Sequence, residues 1–333
     1  MPISIKDIAK RAGVSHSTVS RALADSPLVN EETKARIQEL AREMGYTPSA
    51  IARAMSTHRT QTIGLVVTTI ADPFVAEVVR GIEETALDQG YNVFLCNSMG
   101  DPDREIATVR GLREKWVDAV IVTSSRVGSF YAELTEIQVP VVLINNQQAG
   151  AYSFSVRNDD LRGGQLAGEY LAGLGHRRIA YVAGPEHAMA SELRLKGCQS
   201  VLEMAAQTIP PEWVVQGNGQ PEMAERAVLP LLRAQGLRPT AIFCYNDVTA
   251  MGVLRAVKAE GLRVPDDVSI LGCDDIASAP YLDPPLTTIA QAKYTLGQMA
   301  MLMTVDLIQG KEDVRDVLLE PQLVIRSSCA EPG

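Results

Sequence analysis

Apolar residues in the first 46 positions recur at helical spacing. Ile5, Ile8, Ala9 and Ala12 fall at i, i+3, i+4 and i+7, one face of a short helix. Ser4 followed three residues later by Asp7 is a capping signature, and Gly13 suits a left-handed helix end. Ser15 caps a second helix that turns Val19, Ala22 and Leu23 inward. "NEETKARIQELAREMGY" then predicts a third, capped by Asn30, with acids in its first turn and Ile37, Leu40, Ala41 and Met44 on one side. Beyond Thr62 the pattern changes to short Val- and Ile-rich runs separated by amphipathic stretches. "TIGLVVTTI", "NVFLCNS", "DAVIVTSS" and "VPVVLINN" form one series of candidate strands, and "RRIAYVAG", "EWVVQG", "TAIFCYND" and "VSILGCDD" a second.

Buried apolar strands that alternate with helices imply parallel sheets. The fold class expected is therefore α/β, with a three-helix helix-turn-helix head followed by two doubly wound parallel-sheet subdomains and a break near Asn158–Gly164. The net charge of −9 hides an asymmetry: residues 1–60 hold nine Lys/Arg and six Asp/Glu, a balance of +3, and the remainder carries −12. A basic head on an acidic body points to a polyanionic partner for the head alone. There is no apolar run long enough for a membrane span and no signal-peptide core, and the five cysteines are scattered; a cytoplasmic protein with reduced thiols and no metal is expected.

With Val19 and Leu23 inward, His16, Ser17, Ser20 and Arg21 share the outward face of the second helix. Ser and Thr suit phosphates or base edges, and Arg can grip guanine through two acceptors at once. A merely solvated face would carry Glu and Lys. This one carries neither. "IKDIAKRAGVSHSTVSRAL" and "VNEETKARIQELAREMGYTP" resemble the headpiece of the LacI/GalR family of bacterial transcription regulators. The resemblance implies base reading by His16, Ser17 and Arg21, and phosphate contacts by Thr18 and Ser20. It also implies that residues 47–60 form a hinge helix that folds in the operator minor groove. Met55 would replace the family's leucine wedge, beside Arg53, and Ser49 would replace its asparagine. About eight helical residues are marginal alone, so such a hinge needs support from both sides.

The body resembles the same family's periplasmic-binding-protein-like core at "DPFVAEVVRGIE", "LGHRRIAYVAG", "TAIFCYNDVTAMG", "VPDDVSILGCDDI" and "PPLTTIAQ". Ligands of such sheets bind at the carboxyl ends of strands, where Thr68, Asp72, Asn145, Asn158, Asn246, Asp247 and Asp274 fall. Alignment with the family places Phe74, Asn145, Asn158, Arg194, Asn246, Asp274 and Gln291 at effector positions. The implied division is a head over 1–46, a linker over 47–60, a first subdomain over 61–160 with 290–319, and a second over 161–289 with 320–333. Asn145 is expected to accept from ligand hydroxyls without bringing charge. Gly219 stands where relatives have an aromatic floor, which disfavours a flat purine and favours a sugar or related polyol.

Nucleotide-loop and hydrolase signatures are missing. The pairs Asp159–Asp160, Asp266–Asp267 and Asp274–Asp275 consist of neighbours whose side chains point apart, so no acid and base pair follows. His176 and His187 have no companion nucleophile and are expected to be structural. The function expected is a repressor, not an enzyme and without cofactor. It would bind pseudo-palindromic double-stranded operator DNA as a homodimer, without a heptad tail for tetramers, under control of a small effector. A co-repressor-dependent regulator using a purine or a protein partner is the alternative, and a solute-binding protein a distant third.

Overall fold

Ser4 starts helix α1 (Ile5–Ala12): the Asp7 carboxylate accepts from its N–H at 2.9 Å and from its hydroxyl at 2.7 Å. Gly13 ends it in the left-handed region, at φ 67°. Ser15 caps α2 (His16–Leu23) by accepting from the Thr18 N–H, and Asn30 caps α3 (Glu31–Glu43) by accepting from the Thr33 N–H at 2.8 Å. Ile8, Val19, Ala22 and Ile37 are fully buried between the three helices. Burying Ile8, Val19 and Ile37 stabilises the head by about 1.5–3 kcal/mol each. Leu23, Leu40 and Met44 pack at its margin. The computed structural model describes residues 3–46, 59–124, 127, 139–146, 154–186, 188–234, 236 and 238–333. They divide into two compact units, Met1–Gln61 and Thr62–Gly333.

The larger unit holds two six-stranded sheets. The first runs β1 (Thr62–Val67), α4 (Pro73–Asp88), β2 (Asn92–Asn97), α5 (Pro102–Glu114), β3 (Ala119–Thr123), β4 (Val141–Ile144) and β5 (Phe154–Asn158). The second runs α6 (Asp160–Gly173), β6 (Ile179–Ala183), α7 (Met189–Met204), β7 (Val214–Gln216), α8 (Pro221–Arg233), β8 (Ala241–Cys244), α9 (Asp247–Ala259), β9 (Ser269–Asp274) and β10 (Thr287–Ala290). Helix α10 (Lys293–Ile308) returns to pack on α4 and the first sheet. β11 (Val317–Leu319) then joins the first sheet and β12 (Gln322–Val324) the second. The strand orders are β11-β5-β4-β3-β1-β2 and β12-β10-β9-β8-β6-β7, and only the β10–β12 pairing is antiparallel. Two doubly wound subdomains result.

Each subdomain joins two helices backbone to backbone at a glycine pair. In the first, a Cβ on Gly81 would lie 2.2 Å from the Tyr294 carbonyl oxygen, and one on Gly297 would lie 2.1 Å from that of Val78. In the second, a Cβ on Gly164 would lie 2.0 Å from the Arg194 carbonyl oxygen, and one on Gly197 would lie 2.1 Å from that of Leu161. Only glycine leaves space for these crossings.

Candidate functional site

In the head, Val19 and Ala22 are drawn into the core, which leaves His16, Ser17, Ser20 and Arg21 exposed along one side of α2. Thr18 is half-buried, and its hydroxyl lies 2.8 Å from Ser15 Oγ; the Ser17 hydroxyl lies 2.7 Å from the same atom. The helix-start cap thus orients both hydroxyls. Arg53 and Met55 lie outside the described residues.

In the body, the strand ends of the second sheet gather a buried polar cluster around Arg194. Arg194 is only 4% exposed, although it sits on a helix. Its Nε and Nη2 each reach Asp160 Oδ1 at 2.9 Å, Nη1 donates to the Tyr245 carbonyl, and Nη1 stands 3.9 Å from Asp274 Oδ1. Its guanidinium lies over the Tyr245 ring, 5.0 Å from the centroid. Asp274 in turn accepts from Gln291 Nε2 at 3.0 Å. Burial pushes its carboxyl well above the usual range, against the pull of Arg194. Asp274 and Asp275 both have positive φ, 119° and 55°. The Lys293 ammonium holds that turn by donating to the carbonyls of both, and Lys293 starts the helix that packs on the other sheet.

The first sheet contributes a second set. Asn145 and Asn158 stand at the ends of β4 and β5, and Asn145 Oδ1 accepts from the Asn158 N–H at 3.0 Å. That changes the expectation for Asn145: its oxygen also takes the Asn158 Nδ2 at 3.5 Å, which engages both lone pairs, so the group it can offer a ligand is the amide donor. Asn158 Oδ1 is buried and unmatched among the described residues, as is Gln291 Oε1. Asp72 caps α4 by accepting from the Phe74 N–H at 2.9 Å, with Phe74 half-buried beside it. Burial raises the Asp72 carboxyl, while the charge of Arg194 acts on it in the opposite sense.

Asn246 is buried, but its Oδ1 caps α9 by accepting from the Thr249 N–H at 2.8 Å. Asp247 is structural: it accepts from Thr288 Oγ1 at 2.6 Å and from the Ile276 N–H at 2.9 Å, and burial raises its carboxyl to about 6. Two of the adjacent acid pairs point apart: Asp159 caps α6 while Asp160 turns to Arg194, and Asp275 pairs with Arg326 at 2.7 Å while Asp274 faces Gln291. Asp266 and Asp267 instead converge on one guanidinium, that of Arg263, at 3.0 and 3.3 Å. His176 is buried between Thr240 Oγ1 at 3.0 Å and Ser269 Oγ at 3.1 Å, a structural placement; His187 lies outside the described residues.

Two members of the cluster, Asp160 and Tyr245, are missing from the effector positions expected from the sequence, where Asp160 figures only as half of an acidic pair. Tyr245 brings an aromatic ring beside Gly219, the position expected to lack an aromatic floor: a Cβ on Gly219 would lie 3.6 Å from Tyr245 Cε1. Its signal was an aromatic residue one step beyond the apolar run of β8, next to Asn246. Among the described residues no group of His, Cys, Asp and Glu is placed to hold a metal, and no helix is long and apolar enough to cross a membrane.

A helix-turn-helix head with a hydrogen-bonding outer face, followed in the chain by paired sheets whose strand ends surround a polar cluster, is the plan of a DNA-binding regulator. Residues 4–49 match the lacI family of bacterial regulatory proteins, and residues 169–329 match the periplasmic binding protein-like domain. The HTH-type transcriptional repressor PurR of Proteus mirabilis is 39% identical, over 98% of this chain and 97% of its own. The crystal structure of the lac repressor dimer bound to operator and the anti-inducer ONPF superposes with a TM-score of 0.89 at 28% identity, covering 99% of this chain and 100% of that one. A LacI family regulator from Enterococcus faecium with bound ribose superposes at 0.74 with 30% identity, over 82% of this chain and 100% of its own. The chain belongs to the LacI family and is a DNA-binding transcriptional repressor.

Proposed function

We propose that operator binding by this repressor is set by a small polar effector, a sugar or related polyol, held between the two sheets. One observation carries the reading: Asn158 Oδ1 and Gln291 Oε1 are buried acceptors at strand ends, without a partner among the described residues. Buried polar atoms are nearly always paired, so these two call for donors beyond the described residues, and ligand hydroxyls would be such donors. The ribose-bound relative from Enterococcus faecium supports the same class.

A second reading, a purine co-repressor, is favoured by the PurR relatives and by the presence of Tyr245. Against it, the Tyr245 ring already carries the Arg194 guanidinium. The polyol is kept first for that reason.

The coupling has three parts. His16, Ser17 and Arg21 read bases, and Thr18 and Ser20 hold phosphates, in each half-site. Residues 47–60, with Arg53 and Met55, form the hinge between them. The lobes, 61–160 with 290–319 and 161–289 with 320–333, shift against each other when the effector binds. A coupling of about 1–3 kcal/mol changes operator affinity about 5- to 150-fold. A homodimer fits the open edge of β2, where Phe94 and Leu95 are exposed and Met99 follows. An uncovered apolar edge is a liability that a second copy removes.

The test is calorimetry of the purified protein with sugars, polyols and purines, followed by fluorescence anisotropy on a selected operator. A polyol that binds and changes operator affinity is expected. Asp274→Asn should lose that response while keeping operator binding without ligand. Binding of purines alone would replace the polyol, and operator affinity indifferent to every small molecule would defeat the reading.

A further inference from the structure

The hydroxyl of Ser15, at the start of the exposed helix α2, is a hydrogen-bonding centre with every place taken. A serine Oγ has one proton to give and two lone pairs to receive with. The Thr18 N–H donates to Ser15 Oγ at 3.1 Å, the Ser17 hydroxyl oxygen lies 2.7 Å from it, and that of Thr18 lies 2.8 Å from it. Three partners meet three places, so the two neighbouring hydroxyls cannot play the same part. With the N–H on one lone pair, one hydroxyl donates to Ser15 and the other receives the Ser15 proton. The hydroxyl that donates inward shows only lone pairs to the outside. The one that receives keeps a proton to give.

These two arrangements read DNA differently. A phosphate oxygen only accepts, so a hydroxyl that holds a phosphate needs its proton. In the major groove adenine N6 and cytosine N4 carry donors, whereas guanine and thymine present acceptors. Resting on the reading above, in which Thr18 holds a phosphate and Ser17 meets a base edge, we infer that Ser15 fixes the sense of the Ser17 contact. The Thr18 proton goes to the phosphate, the Ser15 proton to Thr18, and the Ser17 proton to Ser15. Ser17 therefore faces the groove as an acceptor and selects adenine or cytosine over guanine or thymine. A serine without this neighbour takes either kind, because its hydroxyl rotates to suit. Ser15 is a positioning residue: it makes a permissive side chain selective.

The experiment is fluorescence anisotropy of the full chain on an operator selected from a random library and on all its single-pair substitutions. Ser17→Ala marks the pair that Ser17 faces, as the one where discrimination falls. At that pair wild type should bind adenine or cytosine about tenfold more tightly than guanine or thymine. Ser15→Gly removes the hydroxyl at small cost to the helix start, where glycine is tolerated. It should shrink the preference at that pair to about twofold or less, while the other pairs keep theirs. Thr18→Val keeps the side-chain shape and leaves Ser17 free to give or receive, so it should relax the same pair. It carries the test should Ser15→Gly fail to fold. A cap with only a structural part would weaken all sequences alike and leave the preference as it was. A wild-type preference for guanine or thymine, or a preference that survives both variants, overturns the inference and leaves base reading by Ser17 standing. Ser17→Ala without effect at any pair defeats that reading, and the inference falls with it.

Discussion

The carbonyl oxygen of Arg194 rests against Gly164, so closely that a Cβ on that glycine would sit 2.0 Å from it. The relation is reciprocal, because Gly197, three residues beyond Arg194, meets the carbonyl of Leu161, three residues before Gly164. The spacing of Arg194 and Gly197 therefore has a physical cause. The glycine lets α7 approach α6, and that approach sets where the guanidinium can reach Asp160.

Replacing Gly197 with Ala forces a methyl group onto backbone, which cannot move as a flexible side chain would. A loss of about 1–3 kcal/mol is expected, with weaker effector binding because Arg194 moves off Asp160. Urea unfolding and calorimetry on the same variant check both parts. Unchanged stability would show that the helices can separate without cost.

Arg21 is exposed and takes no part in the head core. Arg21→Ala should leave the melting temperature near wild type. It should cost about 1–3 kcal/mol at one operator position and relax specificity there. Anisotropy against single-base operator variants distinguishes this from a phosphate contact, which would weaken all sequences alike.

Lys293 supports a turn in which two consecutive aspartates, Asp274 and Asp275, have positive φ. Lys293→Met keeps the apolar stem and removes the donors. Stability should fall by about 1–3 kcal/mol, and the effector should bind more weakly, because Asp274 is no longer held toward Gln291. An effector affinity equal to wild type would show that the turn holds itself.

His176 gives a pH dependence whose sign is fixed by its setting. Burial holds its imidazole below the ordinary 6.5, so the unfolded chain takes up the proton first as pH falls. Its contribution is full above pH 6.5 and is lost as pH drops through the lower native value. Asp247 runs the other way, since burial raises it from 3.8 to about 6: its contribution is present below 3.8 and lost as pH rises through about 6. Denaturation midpoints from about pH 5 to about pH 8 should therefore fall less steeply on acidification in His176→Asn than in wild type. Equal slopes would mean that His176 does not titrate in this range.

Much of the scaffold was legible because its code is local. The Val- and Ile-rich runs became β1, β2, β3, β4, β6, β7, β8 and β9, and Ser4, Ser15 and Asn30 start the three head helices. β5 escaped because "FSVRN" breaks its apolar run with Ser155 and Arg157, and the short strands β10, β11 and β12 were not among the predicted runs. The cleft was legible only in part. Arg194, Asp274 and Gln291 do converge, as do Asn145 and Asn158. Asp160 and Tyr245 acquire their roles from α7 crossing above them, which no spacing in the chain announces. The reversed sense of Asn145 depends on Asn158, thirteen residues away, whose backbone N–H and side-chain amide both donate to its oxygen.

The paired glycines reach beyond stability. Tyr294 in the first subdomain and Arg194 in the second occupy the same place, three residues before the glycine and with the carbonyl pinned by the opposite helix. One side chain faces the surface salt network of Arg80 and Glu84, the other the buried cleft. Because the crossing clamps the main chain, the two helices keep their approach whichever side chain stands there. At position 194 an exchange must also provide for the buried Asp160 carboxylate that Arg194 pairs with, so recognition and frame change together.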